Sequence, residues 1–468
     1  MKRLIITAVS LTILPPLAGA TEVLTLQQCR DSAAANNKEL MIARQKTIMA
    51  GYDKNIAMAN YFPDVSVSAA YLYNSRNPKL ISREMSDMLT SLGDNKIAEL
   101  LGKLTSTDIS GAINAIGTEI DNFFELDMEN VFIGTVSLRQ PIFMGGKIVN
   151  ANKIASLAEE LSETQYDTIY KDMVLEVDNA YWQTVMIANK QRLAERYNTL
   201  LEQMLHDTEI LLNEGLATQA DLLAVKVKAN EAELTLSKAT NGLALSKMLL
   251  CKLCGMNPYK DIELADEKAE SVPVPLPCPI SSDNEIFKSR PEIRSLELAG
   301  QIYDRKIAIE RADMMPKIML TANYLVTNPN IYHGFENRFA GTFNAGVAIN
   351  IPIIHGCETR QKVRKAQAEA TIARLRMDDA KEMISLQVAQ LRKQEEEAAE
   401  KLKMAGGNLE SAEENLRTAT IGYNEGVIPA NTVLAAQTAW VKARSEWIEA
   451  GIELQITNGK LSSAISGK

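Results

Sequence analysis

The sequence predicts a mainly α-helical chain of mixed α and β class, built as an internal duplication in which each half carries one β-hairpin and two long helices. Three observations predict it: an export leader, an ordered series of self-matches between the halves, and period-two segments followed by proline-free stretches of 68 residues. Composition narrows the function classes. At 468 residues, with 46% hydrophobic and 23% charged residues, long disordered or collagen-like readings are excluded. Aromatics at 5% are too few for a chain that is mostly membrane barrel or mostly β-sandwich. The formal charge of −9 falls by two, to −11, when Lys2 and Arg3 leave with the leader. Such an acidic chain is a poor partner for nucleic acid, whose phosphates demand a basic face. Three His and five Cys leave little material for metal or His-based catalysis, and no cofactor is expected.

Residues 1–20 open with Lys2 and Arg3, run apolar from Leu4 to Leu14 and end in Ala18-Gly19-Ala20. That is the layout of a cleavable signal peptide, and the apolar part is too short for a membrane span. An uncleaved anchor is the alternative. The residue after the expected cut is Thr21, and Cys29 lies too far inside to carry a lipid, so no lipid anchor is expected.

The duplication is read from shifts of the sequence against itself. A shift of 211 aligns Val136–Pro141 with Val347–Pro352, Asn213-Glu214-Gly215 with Asn424-Glu425-Gly426, and Leu223-Ala224 with Leu434-Ala435. A shift of 253 aligns Glu39 with Glu292, Pro63 with Pro316, and Tyr71-Leu72 with Tyr324-Leu325. The 42-residue difference places an insertion in the first half, at about 77–125. The expected organisation is therefore a first repeat at 21–255, a linker or equatorial region at 256–290, and a second repeat at 291–468. Alternate prolines from Pro273 to Pro279 make the join extended.

Each hairpin alternates. Val65, Val67, Ala69, Tyr71 and Tyr73 share one face and Asp64, Ser66 and Ser68 the other, with Leu72 an exception. Phe343, Ala345, Val347, Ile349 and Ile351 likewise alternate with Thr342, Asn344, Gly346 and Asn350. Period two makes a sheet with one apolar and one polar face, and runs of about ten residues suit a tilted membrane strand. Eight of the nine Phe lie in the hairpin segments, where interfacial girdles would sit. The pattern alone also fits a sheet packed on a soluble core; the leader favours the membrane. The insertion, with Met85, Met88, Leu89 and Leu92, then Ile97, Leu100, Leu101 and Leu104, reads as short amphipathic helices forming a surface cap.

The stretches Lys147–Glu214 and Glu358–Glu425 hold no proline and would each extend roughly 100 Å as helices. Ala398, Leu402, Ala405, Leu409, Ala412, Leu416, Ala419 and Tyr423 form a heptad seam. Leu193, Tyr197, Leu200, Met204 and Leu211 keep that register, with Asp207 interrupting it. Gly406-Gly407 is expected to bend the second rod. Both rods end at Asn-Glu-Gly, and Thr218 and Asn431 are expected to cap the returning helices. Four strands cannot close a membrane barrel, and an open edge in lipid strands backbone groups, so chains must associate. Two chains would give eight strands and three would give twelve.

The residues resemble the TolC-like outer-membrane efflux proteins, the outer membrane factors. The resemblance covers nearly the whole mature chain and rests on Tyr61-Phe62-Pro63 before the first strand, on the Gln140–Gly146 run (QPIFMGG) leaving the second, and on the turns at Glu214–Leu222 and Tyr423–Val427. It implies a trimer, a twelve-stranded transmembrane β-barrel continued by an α-helical periplasmic barrel, and an α/β belt from residues near Met256–Pro291 with the two termini. Implied partners are outer-membrane lipid, a periplasmic adaptor protein, and an inner-membrane efflux transporter or ABC exporter. The implied role is a passive exit duct of a tripartite efflux or type I secretion system in a Gram-negative-type bacterium. A barrel-anchored coiled-coil tether is the competing class.

The resemblance also places a periplasmic gate at Asp221 and Tyr423, and puts Thr432 and Ala435 where many relatives carry a ring of aspartates. Asp221 alone also reads as a first-turn acid and Tyr423 as a heptad knob. Gly215, Leu216, Gly426 and Val427 resemble adaptor-contacting tips, although turn geometry alone would also explain them. Cys251-Lys252-Leu253-Cys254 has C-x-x-C spacing but no second pair and no nearby His, so it reads as buried or disulfide-linked thiols. His206, His333 and His355 are dispersed, and Met144-Gly145-Gly146-Lys147 lacks the spacing of a phosphate loop. Glu395-Glu396-Glu397 reads as a solvated or lumen-facing surface.

Overall fold

The computed structural model describes residues 22–94, 110–126, 128–215, 217–268, 274–279, 281–332, 336–353, 356–425 and 427–466. The leader at 1–20, the insertion positions Ile97, Leu100, Leu101 and Leu104, His333, His355, and the tip residues Leu216 and Gly426 lie outside the described residues. The chain divides into two compact units. One holds residues up to 52, 156–302 and those from 369 onward; the other holds 53–155 and 303–368.

The first unit is helical, with a two-stranded sheet. Strand β1 (Glu22–Leu24) runs parallel to β4 (Ile262–Leu264), three residues against three. Helix α1 (Leu26–Asn36) starts on a capping box in which Thr25 and Gln28 satisfy each other's backbone N–H, and α2 (Lys38–Ala59) follows after Asn37. The rods are α5 (Lys147–Asn213) and α9 (Glu358–Asn424), each of 67 residues, one fewer than the proline-free stretches allowed. The returning helices are α6 (Gln219–Leu253) and α10 (Ala430–Ser466). Two shorter ones, α7 (Asp283–Ser289) and α8 (Pro291–Ala312), follow residues 274–279, which form neither helix nor strand.

Every residue of the second seam, from Ala398 to Tyr423, is buried or half-buried, while the charged positions between them are exposed. Two expectations need correction. Gly406-Gly407 does not interrupt α9: the glycine penalty of about 1 kcal/mol per residue is outweighed by the buried seam on either side, at Ala405 and Leu409. In α5 Leu193 and Met204 are buried and Tyr197, Leu200 and Leu211 half-buried, as the register expects, and Leu201 and Thr208 beside them are fully buried. The Thr208 hydroxyl donates back to the Met204 carbonyl at 2.7 Å, so a small satisfied polar side chain sits inside while Asp207 points to solvent. Asn431 is not a cap, because α10 already begins at Ala430 and Thr432 N–H donates to the Pro429 carbonyl at 3.0 Å.

The unit has three cores. Around the two-stranded sheet, Cys29, Val177, Tyr181, Leu250, Cys251, Cys254, Ile262 and Ile452 pack together. The Tyr181 hydroxyl donates to the Asp266 carboxylate at 2.6 Å, and burial together with that acceptor pushes the phenol well above its ordinary range. Tyr181→Phe is expected to cost about 1.5–3 kcal/mol, the worth of a hydrogen bond to a charged group, seen as a lower thermal midpoint of the purified protein. A second core joins α7, α8, α9 and the end of α10 through Ile286, Ile293, Val388 and Leu461. Arg290, between α7 and α8, donates to the Ala464 carbonyl at 2.9 Å, and Glu292 accepts from Arg290 and from the buried Lys171 at 3.3 and 3.2 Å. Burial and the Arg290 charge hold the Lys171 ammonium below its ordinary range. The third core joins the ends of α5, α6, α9 and α10 through Leu201, Met204, Val225, Ala419, Val433 and Leu434. Residues 262–264 thus pair with β1, and Ile286 and Ile293 pack against Leu461, Ala464 and Ile465 of α10.

The second unit is built on one four-stranded sheet. Strands β2 (Asp64–Tyr73), β3 (Asn130–Met144), β5 (Lys317–Asn328) and β6 (Ala340–Asn350) pair antiparallel in the order β2-β3-β5-β6. Between β2 and β3 lie α3 (Arg83–Thr90), a 3-10 turn at Leu92–Asp94 and α4 (Ser110–Phe123), so the described part of the insertion is helical as expected. Lys79 meets the buried carboxylate of Asp121 at 2.5 Å, fixing α4 to the segment before α3. Gly145, at φ +64° after β3, has no room for a side chain: a Cβ would stand 2.5 Å from the Ala312 carbonyl oxygen. Gly145→Ala is expected to destabilise the chain by at least about 1 kcal/mol through backbone strain, read as reduced yield and a lower thermal midpoint.

Candidate functional site

Two surfaces carry the unusual features of this chain: the faces and edges of the four-stranded sheet, and the turns that join the long helices in pairs. Because residues directly opposite one another in an antiparallel sheet share a face, the register assigns each face row by row. One row reads Val67, Val136, Tyr324, Phe343 across all four strands, and the next reads Ser66, Ser137, Asn323, Asn344. Val65, Leu138, Ala322 and Ala345 continue the first face, and Asp64, Arg139, Thr321 and Gly346 the second. Asn323 donates to Asn344 at 3.0 Å, so the polar face is hydrogen-bonded within itself.

Much of the apolar face is exposed among the described residues. Val67 is 76% and Phe343 69% exposed, and β2 is exposed along its whole length. Aromatics gather at both ends of that face: Tyr71, Phe132 and Phe339 at one, the last two ring to ring at 5.4 Å, and Phe62 and Phe143 near the other. The strands hold 10, 15, 12 and 11 residues, the reach of a tilted membrane strand. A bulge between Pro141 and Phe143 shifts β3 by one residue, which brings Phe143 opposite Ile318 on the apolar face. Sequence reasoning missed this bulge, although a proline inside a strand is its usual signal. The outer edges of β2 and β6 pair with no strand among the described residues.

The helix turns repeat one another. After α5, Gly215 takes φ +73° and Ala217 N–H donates to the Leu211 carbonyl at 3.2 Å. After α9, Val427 N–H donates to the Gly422 carbonyl at 2.8 Å and its side chain is 79% exposed. Thr218 caps α6 as expected, and its partner is Asp221: the Thr218 hydroxyl and N–H both donate to Asp221 Oδ2, at 2.6 and 3.1 Å. Those donors hold the Asp221 carboxyl below the usual carboxylate range. A lowered folded-state pKa gives stabilisation that is present above the ordinary carboxylate pKa and lost as pH falls through the folded value, so this cap weakens only in acid.

Tyr423 packs half-buried against the core that joins the four helix ends, and no hydrogen bond joins it to Asp221 within the chain. Thr432 and Ala435 are both exposed; Ala435 lines a groove with Leu223, Val227 and Asn431 between α6 and α10. His206 stands apart from any cluster, and no group of His, Cys, Asp or Glu among the described residues could hold a metal. No helix among the described residues is long and apolar enough to cross a membrane.

A family model described as outer membrane efflux protein matches residues 29–256 and 284–467. A search of curated proteins finds no match. Among solved structures, the outer membrane protein VceC of Vibrio cholerae is 17% identical, with a TM-score of 0.69, covering 94% of this chain and 96% of that one. The CmeC outer membrane channel of Campylobacter jejuni is 15% identical, with a TM-score of 0.70, covering 94% and 85%. The MtrE outer membrane channel of Neisseria gonorrhoeae, solved in its open state, is 16% identical, with a TM-score of 0.70, covering 94% and 89%. At these identities the likeness is one of fold.

Proposed function

The chain belongs to the outer membrane efflux protein family, and from that premise we propose that it is the exit duct of a tripartite efflux or type I secretion system. It is an outer-membrane channel protein and not an enzyme. In this reading three copies pool their four-stranded sheets into a twelve-stranded barrel, apolar face to lipid and polar face to water. The observation that carries it is the register: Val67-Val136-Tyr324-Phe343 on one side and Ser66-Ser137-Asn323-Asn344 on the other make a wall suited to lipid outside and solvent inside. The free edges of β2 and β6 supply the hydrogen-bonding groups that closure requires, since an unpaired edge in hydrocarbon costs several kcal/mol per group.

The domains act as read from the sequence: a leader at 1–20 that is removed, two repeats, and an equatorial region at 256–290. The tips at Gly215-Leu216 and Gly426-Val427 dock a periplasmic adaptor, which couples the duct to an inner-membrane efflux transporter or ABC exporter. The equal length of α5 and α9 supports this, because it sets the two turns of each chain at matched distances along their rods.

The closed end is held by Asp221 and Tyr423 across chains. Both Thr218 bonds land on Asp221 Oδ2, so Oδ1 remains for a neighbouring chain's Tyr423 hydroxyl. With Thr432 and Ala435 exposed in place of aspartates, the constriction lacks that acidic ring. Planar-bilayer recording tests the reading. The wild-type duct is expected to rest at low conductance, and Tyr423→Phe, or Asp221→Asn, which keeps an acceptor for the cap, to raise it. Unchanged conductance in both variants removes them from the gate. A bilayer that stays silent even after the tip is opened favours a tether.

A further inference from the structure

Three of the five cysteines lie in one place. Cys29 on α1 and Cys251 and Cys254 at the end of α6 are all fully buried in the core around the two-stranded sheet. The Cys29 and Cys254 side chains are in contact, whereas the Cys251 thiol turns to the Lys260 carbonyl at 4.0 Å. The backbone holds α1 and the end of α6 together: Ser32, one turn along α1 from Cys29, donates from its hydroxyl to the Cys254 carbonyl at 3.0 Å, and Asn37 donates to the Leu253 carbonyl at 3.2 Å. Gly255 approaches α1 so closely that a Cβ there would stand 2.5 Å from Asn36.

We propose that Cys29 and Cys254 form a disulfide in the exported protein, a covalent staple fastening the amino-terminal helix to the end of the first returning helix. The proposal rests on export beyond the inner membrane, where the compartment is oxidising. The oxidant is a disulfide-bearing oxidoreductase. One cysteine thiolate attacks its disulfide and one oxidant sulfur leaves as thiolate. The second cysteine thiolate then attacks the mixed disulfide and expels the other oxidant sulfur. The chain loses two protons and two electrons, and the oxidant becomes a dithiol.

Full burial dictates when this happens. The contact between Cys29 and Cys254 holds the Cys254 thiol above its ordinary range and the Cys29 thiol below it, and full burial keeps both away from any oxidant once the chain has folded. The bond therefore forms while the chain folds, and once enclosed it resists reductants until the protein unfolds. Cys251, one helical turn from Cys254, stays a thiol.

Counting thiols tests this. Protein from the outer-membrane fraction is acid-quenched, denatured and alkylated with a maleimide, with and without prior reduction. The expected count is three alkylated cysteines (Cys251, Cys278 and Cys357) before reduction and five after it. Five before reduction overturns the proposal without touching the duct reading, which bilayer recording tests separately. Cys251→Ser is expected to give two and four. Four before reduction in that variant would mean that Cys251 is the true partner, and the assignment to Cys254 would be wrong.

Discussion

Val67→Arg is expected to prevent assembly in the outer membrane, while Ser66→Arg, one residue away, is tolerated. The two positions are neighbours on β2 and face opposite sides of the sheet: Val67 lies in the row with Val136, Tyr324 and Phe343, and Ser66 in the row with Ser137, Asn323 and Asn344. Val67 is the fourth of the ten residues of β2, close to mid-strand. A cationic side chain on the lipid face of a barrel costs about 2–4 kcal/mol at mid-membrane. Three copies in a closed barrel multiply that to roughly 6–12 kcal/mol per assembly, comparable with the whole stability of a typical folded domain. At Ser66 the guanidinium would enter water. Membrane fractionation and gel mobility of the unheated sample check both variants. Equal assembly of the two would mean that the apolar face does not meet lipid.

The second large effect is expected at the tip. Val427→Asp should abolish export while leaving the trimer intact. Val427 is held by its own backbone, through the 2.8 Å bond to the Gly422 carbonyl, and its side chain is 79% exposed, so the substitution disturbs little within the chain. A charge there would have to lose its water wherever an apolar partner surface meets the turn, and every 1.4 kcal/mol lost weakens docking about tenfold. The measurement is co-purification with the adaptor alongside cellular accumulation of an exported dye. Export at the wild-type level with adaptor still bound would remove Val427 from the docking surface.

Much of this fold is legible in the sequence because its patterns are long. Alternation over ten residues and a heptad seam from Ala398 to Tyr423 are hard to produce by chance, and the structure leaves every seam residue buried or half-buried. The rod ends were legible to within one residue, and at Gly215 the stop has a physical reason, the left-handed backbone that glycine accepts. What was less legible depended on a third partner. Gly406-Gly407 looked like a hinge because propensity counts only the helix, whereas the Trp447 indole lies 3.8 Å from where a Gly406 side chain would begin. The deeper burial of Leu201 beside the expected Leu200 reflects the drift of a 3.6-residue helix against a strict heptad.

The site divides in the same way. Thr218 was readable as a cap because threonine ahead of a helix with an acid three residues on is a local motif. Its partnership with Asp221 then occupies one oxygen of a side chain that the family resemblance had assigned to the gate. The contact between Cys29 and Cys254 spans most of a repeat and has no local signal; only folding brings α1 to the end of α6. The cluster of buried Arg290 and Lys171 with half-buried Glu292 is of the same kind, since its members come from α5 and the α7–α8 junction.

The most direct test is the mass of the complex extracted from outer membranes, read by native mass spectrometry in detergent. The expected result is a species of three times the mature chain mass, with no stable monomer, because in the proposed barrel the edges of β2 and β6, unpaired among the described residues, pair with neighbouring copies. A compact monomer whose β2 and β6 amides are already protected from exchange would contradict it.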